Sequence, residues 1–424
     1  MTFPTRLTSG LKLYSLLSIM AGVYTTQSLI GMFTLQGLPA VLKSQDVSTS
    51  QIGLFYLAIL PWALKFLWSP YLEKIRKKGD TLKNHGYLVL FAQVAILVIL
   101  GVLAFTQALH QLSLLFLCVF ALAMFSTIAD MSTDGLAVDQ LPRSKRRIGN
   151  VMQVGGAYLG AIFGGGLFIY LTGAVDWQVA LFALMGLVII MSLPTLQLFS
   201  RTTSQTTIKD VSTPSLKSAF SSSKVRRGLF LIMLCQIGTR GVLSMMMPFL
   251  YEKGINLENL GLLVAGGGAL TGFIGVGLSG WAIKHITAIK MLTICLAVEA
   301  ILYTGFFLYS TNLVNIPYML EVLFILNAVI SAAKFLALYT LMMEWSYGSQ
   351  AGIDYSLFQS MDMIVTIVMA VLCGWLISYL GYSAHYSLAI IATCFAAYQL
   401  TRISDLAPRN TFSDGTLNTQ KTNR

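Results

Sequence analysis

Asp130 and Asp134 lie four positions apart inside a long apolar run. That spacing puts both carboxylates on one face of a helix, with Thr127 one turn before them. Two acids so close in a poorly hydrated place do not both ionise easily, so one of them readily holds or exchanges a proton. Proton coupling needs such chemistry. The other reading is that the acids pair with basic side chains and hold helices together. Lys65, Arg240, Glu299 and Lys334 sit within further apolar stretches. An ionisable group in hydrocarbon costs roughly 3 kcal/mol or more, so each must face a partner or a wet cavity. So many charges suit a chain that handles something polar inside the bilayer, and they do not suit an anchor.

The elements that position these groups follow from composition. The chain is 56% hydrophobic and 11% charged, with a mean hydropathy of +0.73, beyond the range of a soluble domain of its 424 residues. At roughly 20 apolar residues per crossing, it divides into about twelve spans: 12–36, 50–70, 87–107, 112–138, 148–173, 177–199, 227–250, 259–283, 289–310, 315–343, 353–380 and 383–402. Short loops, one internal polar stretch and a polar tail remain, leaving no soluble domain for a catalytic core. No phosphate-binding loop, zinc-ligand spacing, nucleophile elbow or dinucleotide fingerprint occurs. The chain reads as a non-enzyme without cofactor or metal.

The net charge of +11 is a matter of topology. With both termini inside, cytoplasmic segments hold 23 of the Lys and Arg residues, and the opposite side holds only Lys43 and Lys253. The basic balance therefore implies no nucleic-acid partner; the partners expected are a small molecule and the lipid bilayer, for a monomer. Five cysteines, all within spans, read as small packing residues.

Residues 200–226, rich in Ser and Thr, separate the sixth and seventh spans. Two six-helix halves joined by a cytoplasmic linker describe the major facilitator layout, an all-α membrane fold built from parallel repeats. The halves are 1–200 and 227–404, the linker 201–226 and the cytoplasmic tail 405–424. In that layout the first, fourth, seventh and tenth helices line a central cavity. Tyr24 and Gln27 on the first, Arg240 on the seventh, and Lys334 and Tyr339 on the tenth become candidate substrate contacts, with Asp130 and Asp134 as the proton-coupling pair. A guanidinium at mid-membrane suits an anionic group because its donors form a fixed fork. The alternative is a salt bridge to Asp130 or Asp134. Phe33, Met245, Met246, Met247 and Phe335 extend the aromatic and thioether character of these helices. Lys65, flanked by Trp62 and Trp68, is expected to snorkel to the interface in a structural or gating role. Glu299 and Asp362 fall outside the lining set and are candidate partners placed behind it. Gly156, Gly160 and Gly164 form a stripe on the fifth helix where another helix can approach closely.

The stretch Gly37-Leu38-Pro39, Ile52-Gly53-Leu54 and Pro61-Trp62-Ala63-Leu64-Lys65-Phe66-Leu67-Trp68-Ser69-Pro70 resembles the AmpG-like branch of the major facilitator superfamily. That branch includes muropeptide permeases, acetyl-CoA transporters and the RhtX/FptX siderophore importers. Where the superfamily usually carries Gly-x-x-x-Asp-Arg, this chain has Ser69-Pro70-Tyr71-Leu72-Glu73-Lys74. The charge logic survives, with Glu73 and Lys74 joined by Asp139, Arg146 and Arg147 in a cytoplasmic latch. The second-half copy, Gly280-Trp281-Ala282-Ile283-Lys284, has no acid. The run from Ala129 to Gly166 is most similar to RhtX/FptX importers. The resemblance implies an inner-membrane, proton-driven siderophore importer working by alternating access. A muropeptide or other small-metabolite permease, or an exporter, is the alternative.

Overall fold

A computed structural model describes residues 12–76, 80–106, 108–141, 146–199, 222–282, 285–346 and 351–404. Nearly all of them are helical, as the bilayer requires: without water, each backbone N–H and C=O must be satisfied within its own segment. The helices are α1 (Leu13–Ser44), α2 (Thr49–Leu67), α3 (Thr81–Phe105), α4 (Leu112–Gln140), α5 (146–174) and α6 (Trp177–Leu198). After residues 200–221 come α7 (Ser223–Glu252), α8 (Leu257–Ala282), α9 (Ala288–Ser310) and α10 (Met319–Trp345). A final helical stretch, Ala351–Ser404, breaks at Gly381 into α11 (351–380) and α12 (382–404). Gly381 has φ +78° and ψ 178°, a conformation open to glycine and closed to side chains with a Cβ. The described residues thus form twelve crossing helices, as the hydropathy predicts.

Several ends are locally encoded. Asp80, Asp176, Asn256 and Thr287 each accept a hydrogen bond from a first-turn amide, and Ser48 with Gln51 closes a capping box at the start of α2. Several boundaries differ from the sequence reading: α3 starts at Thr81, six residues before its expected 87, and α10 at Met319, four after 315. α1 continues through a π turn at Phe33–Gly37 to Ser44, eight residues beyond the expected end. Leu38 to Leu42 stays apolar, and Pro39 falls just after the π turn, where helix tolerates it. α7 starts at Ser223 and so takes in Lys224, Arg226 and Arg227, which were expected in or beside the linker. The linker's residues 201–221 and the tail 405–424 lie outside the described residues, as does Lys284.

The glycine stripe sets the distance between α1 and α5. A Cβ at Gly156 would lie 2.9 Å from the backbone of Tyr24, and one at Gly160 would lie 2.6 Å from the amide nitrogen of Leu29. Nothing larger than glycine fits, so the two helices touch backbone to backbone. On α3, Phe91, Val94, Val98, Val102 and Phe105 are exposed, forming an apolar face toward lipid.

Helices from α1–α6 meet helices from α7–α12 along two seams. On one, Gly53 of α2 abuts the carbonyl of Ala370 on α11, and the Thr49 hydroxyl donates to the carbonyl of Gly374 at 3.1 Å. On the other, Gly166 of α5 abuts Ala265 of α8, where both helices widen into π turns, and Gly173 meets Leu257 and Glu258. The Tyr56 hydroxyl lies 2.9 Å from the carbonyl of Leu35 and 3.1 Å from that of Ser244. Lys43 pairs with Glu252 at 2.7 Å. These contacts lie toward the end that carries the α1–α2, α5–α6, α7–α8 and α11–α12 connections, and there the bundle is sealed.

Candidate functional site

The buried charges form two groups. In the first, the Lys65 ammonium donates to Oδ2 of Asp130 at 3.2 Å, with the Asp130 side chain 2% exposed. Lys65 therefore turns inward and does not snorkel as expected. α2 unwinds into short 3-10 turns on either side of Pro61, and this local geometry aims the side chain at α4. Asp134 does not share that ammonium; its Oδ1 accepts from the Tyr24 hydroxyl at 2.7 Å. On the other side of α1, Gly156 lets α5 press against the backbone of Tyr24. The two aspartates share a helix face but have different partners. Thr127 is buried and donates to the carbonyl of Met124 in its own helix.

The second group is organised by one face of α7. The Arg240 guanidinium forks onto Asp362 of α11, with Nε to Oδ1 at 2.9 Å and a second, closer bond from the terminal nitrogen to Oδ2. Gln236, one turn earlier, donates to the same Oδ1 at 2.8 Å. Phe335 stacks beneath the guanidinium, 4.5 Å from ring centre to Cζ. Beside it, Lys334 of α10 pairs with Glu299 of α9 at 2.8 Å, and neither side chain is exposed. Thr239 joins the two: its hydroxyl donates to Glu299 at 2.8 Å and accepts from Lys334. Ser331 adds a contact to Glu299 and Cys235 offers its carbonyl to Lys334, each at 3.4 Å.

Arg240 therefore does have an internal salt bridge, to Asp362 and to neither Asp130 nor Asp134. Lys334, expected as a substrate contact, offers no exposed atom in this conformation because Glu299 and Thr239 enclose it. Gln27 and Tyr339 are half-buried, and Tyr339 packs at 6.0 Å from Phe335 and 6.4 Å from Tyr355 between ring centres. Phe33, Met245, Met246 and Met247 are buried in the hydrophobic core. Four of the five cysteines are buried and Cys394 is exposed, all as free thiols. Of the expected latch, Lys74 is exposed and Asp139 meets Nε2 of buried His85 at 3.6 Å. The side chains of Glu73, Arg146 and Arg147 lie outside the described residues.

Sequence reasoning named Asp362 and Glu299 as candidate partners behind the lining set, without saying which base each would meet. A signal existed in the charge balance: α7–α12 bury two bases and two acids, Arg240 and Lys334 against Asp362 and Glu299. α1–α6 set one base, Lys65, against Asp130 and hold a second acid, Asp134, on the Tyr24 hydroxyl. One carboxylate is in surplus there among the described mid-bundle groups.

Residues 16–312 match the model of the Major Facilitator Superfamily. The chain belongs to that superfamily. It is 23% identical over 401 residues to the anhydromuropeptide permease of Escherichia coli (strain K12), covering 87% of this chain and 79% of that protein. A point mutant of the nucleoside transporter NupG superposes with a TM-score of 0.70 at 10% identity, over 92% of this chain and 100% of that one. A bacterial homologue of the human lysosomal transporter Spinster, in an inward-facing and occupied conformation, gives 0.68 at 14% identity, over 92% and 96%. Membership makes the chain a multi-pass membrane transporter of a small molecule, not an enzyme.

Proposed function

We propose that this chain is a proton-driven importer of a siderophore, carried as its ferric chelate, in the bacterial inner membrane. The surplus carboxylate carries the coupling part of this reading. Among the described residues Asp134 makes no ion pair and accepts a hydrogen bond from a neutral tyrosine hydroxyl, so it is the acid that can take up and release a proton without leaving a base unpaired. Asp130, held by Lys65, fixes the local charge against which that proton equilibrates. Transport then alternates between states in which either end of the bundle opens.

On the substrate side, the Arg240 side chain is 12% exposed and Asp362 is not exposed at all. The open edge of the guanidinium meets oxygen donors of the chelate, while Asp362 and Gln236 hold the fork in place. Tyr24, Gln27 and Tyr339 complete the contacts. The sealed end is the periplasmic one, because the opposite end carries both termini and the 23 basic residues of the inside segments. Reporter fusions after residues 205 and 420 should both read cytoplasmic, and one at residue 108 periplasmic. A periplasmic signal from the first of these would overturn the two-half orientation.

The siderophore class rests on the RhtX/FptX-like stretches 37–70 and 129–166. A second reading, muropeptide import, is favoured by the likeness to the E. coli permease across most of the chain. Growth separates them. A strain lacking this gene should grow poorly under iron chelation when its own siderophore is the sole iron carrier, and excess ferric salt should rescue it. Normal chelate-dependent growth with no redundant importer present would remove the siderophore reading. External cell-wall fragments accumulating in that strain would establish the muropeptide one.

A further inference from the structure

Three soft donors converge within the second six helices, away from both charge groups. Met369 and Cys373 lie four residues apart on one face of α11, and His385 stands one turn past the Gly381 break, on α12. All three point at Gly241 of α7. The position a Cβ would take there is 3.1 Å from the Cys373 sulfur, 3.4 Å from the Met369 methyl and 3.8 Å from Cε1 of His385. A small cavity of about 10 Å³ opens beside them, lined also by Gly238 and Ala389. The absence of side chains at Gly238 and Gly241 is what leaves room for the cluster.

His385 is the second observation. It is 1% exposed, and neither ring nitrogen has a hydrogen-bond partner among the described residues. An imidazole stripped of water with both nitrogens idle is costly, and the Cys373 thiol lining the same cavity is likewise buried and free. No group of three His, Cys, Asp or Glu side chains is placed to hold a metal among the described residues. A thioether completes this set instead.

We propose that Cys373, His385 and Met369 form a binding site for a soft monovalent cation, Cu(I) or Ag(I). Thiolate and thioether sulfur with imidazole nitrogen is a donor set that selects Cu(I). Charge favours the monovalent ion. Binding displaces the Cys373 proton to solvent, so one thiolate and one +1 ion give a neutral unit that hydrocarbon tolerates, whereas a divalent ion would leave a net charge buried. The site stands apart from the proposed substrate path. Gly241 follows Arg240 directly, and one residue's rotation of the helix, about 100°, turns the cluster away from the Gln236 and Arg240 contacts with Asp362.

The test uses the full chain, purified in detergent under reducing conditions, competing for Cu(I) against the coloured bicinchoninate complex. Wild type should withdraw one equivalent, Cys373→Ser and His385→Phe should withdraw none, and Met369→Leu, a nearly volume-conserving change, should weaken binding about tenfold. Ag(I) should compete and Zn(II) should not. X-ray absorption on the wild-type complex should show sulfur and imidazole nitrogen around copper, which keeps the test valid if a variant fails to fold. Lack of uptake by wild type would mean that the cavity holds at most a water, and would overturn the site. So would full stoichiometry in Cys373→Ser, or sulfur-only ligation, which would assign the metal to another thiol such as exposed Cys394.

Discussion

Asp134→Asn should abolish concentrative uptake in proteoliposomes with an imposed pH gradient while leaving gradient-free substrate exchange close to wild type. The substitution removes the surplus carboxylate yet keeps an oxygen to accept from the Tyr24 hydroxyl, so the α1–α4 contact survives. Exchange never discharges the proton, so it does not need the acid. Asp130→Asn makes a useful contrast. It strands Lys65, whose ammonium then has Asp134 as the nearest replacement partner. That rearrangement uses up the surplus acid, so coupling should fail here too, with reduced stability in addition. Tyr24→Phe separates geometry from charge: it removes the hydroxyl and should shift the pH dependence of uptake without eliminating coupling. Wild-type accumulation ratios in Asp134→Asn would place the coupling proton elsewhere and reduce the pair to a structural role.

The contrast between the two aspartates also shows where sequence reading reaches its limit. Their shared face follows from four-residue spacing alone, and the twelve helices follow from hydrocarbon thickness. The break at Gly381 and the start of α4 at Leu112 are legible because glycine and apolar run length are local signals. Pairing is not local. Arg240 and Asp362 are 122 residues apart, and Lys334 finds Glu299 only because α9 and α10 both pack beside α7. Lys65 escapes prediction for the same reason: its reach is set by the unwound turns of α2, and hydropathy averages over such turns. α1 runs past its expected end because the π turn before Pro39 absorbs the missing amide, which run length does not register. The glycine stripe is legible as a packing seam, yet the sequence does not say that α1 is the helix it packs against.

The largest stability effect should come from the Lys334–Glu299 pair, where neither side chain meets solvent. Lys334→Met removes the cation and leaves a carboxylate buried with only Thr239 and Ser331 to solvate it. Breaking a buried ion pair from one side costs about 3–5 kcal/mol, because the remaining charge is uncompensated. Glu299→Leu should cost a similar amount by stranding the ammonium. The double variant Lys334→Met with Glu299→Leu removes both charges and should recover most of that loss, since an apolar replacement of a buried pair is often neutral. The measurement is resistance to thermal aggregation of the purified protein for wild type, both singles and the double, read as a double-mutant cycle. If the singles are as stable as wild type, the pair is not desolvated as the structure has it. Uptake by the double variant then decides what the pair is for. A stable double that transports normally makes Lys334 and Glu299 a clamp on α7, α9 and α10. A stable double that fails to transport means that the bridge must open during the cycle, bringing Lys334 within reach of the substrate in the state sealed at the other end.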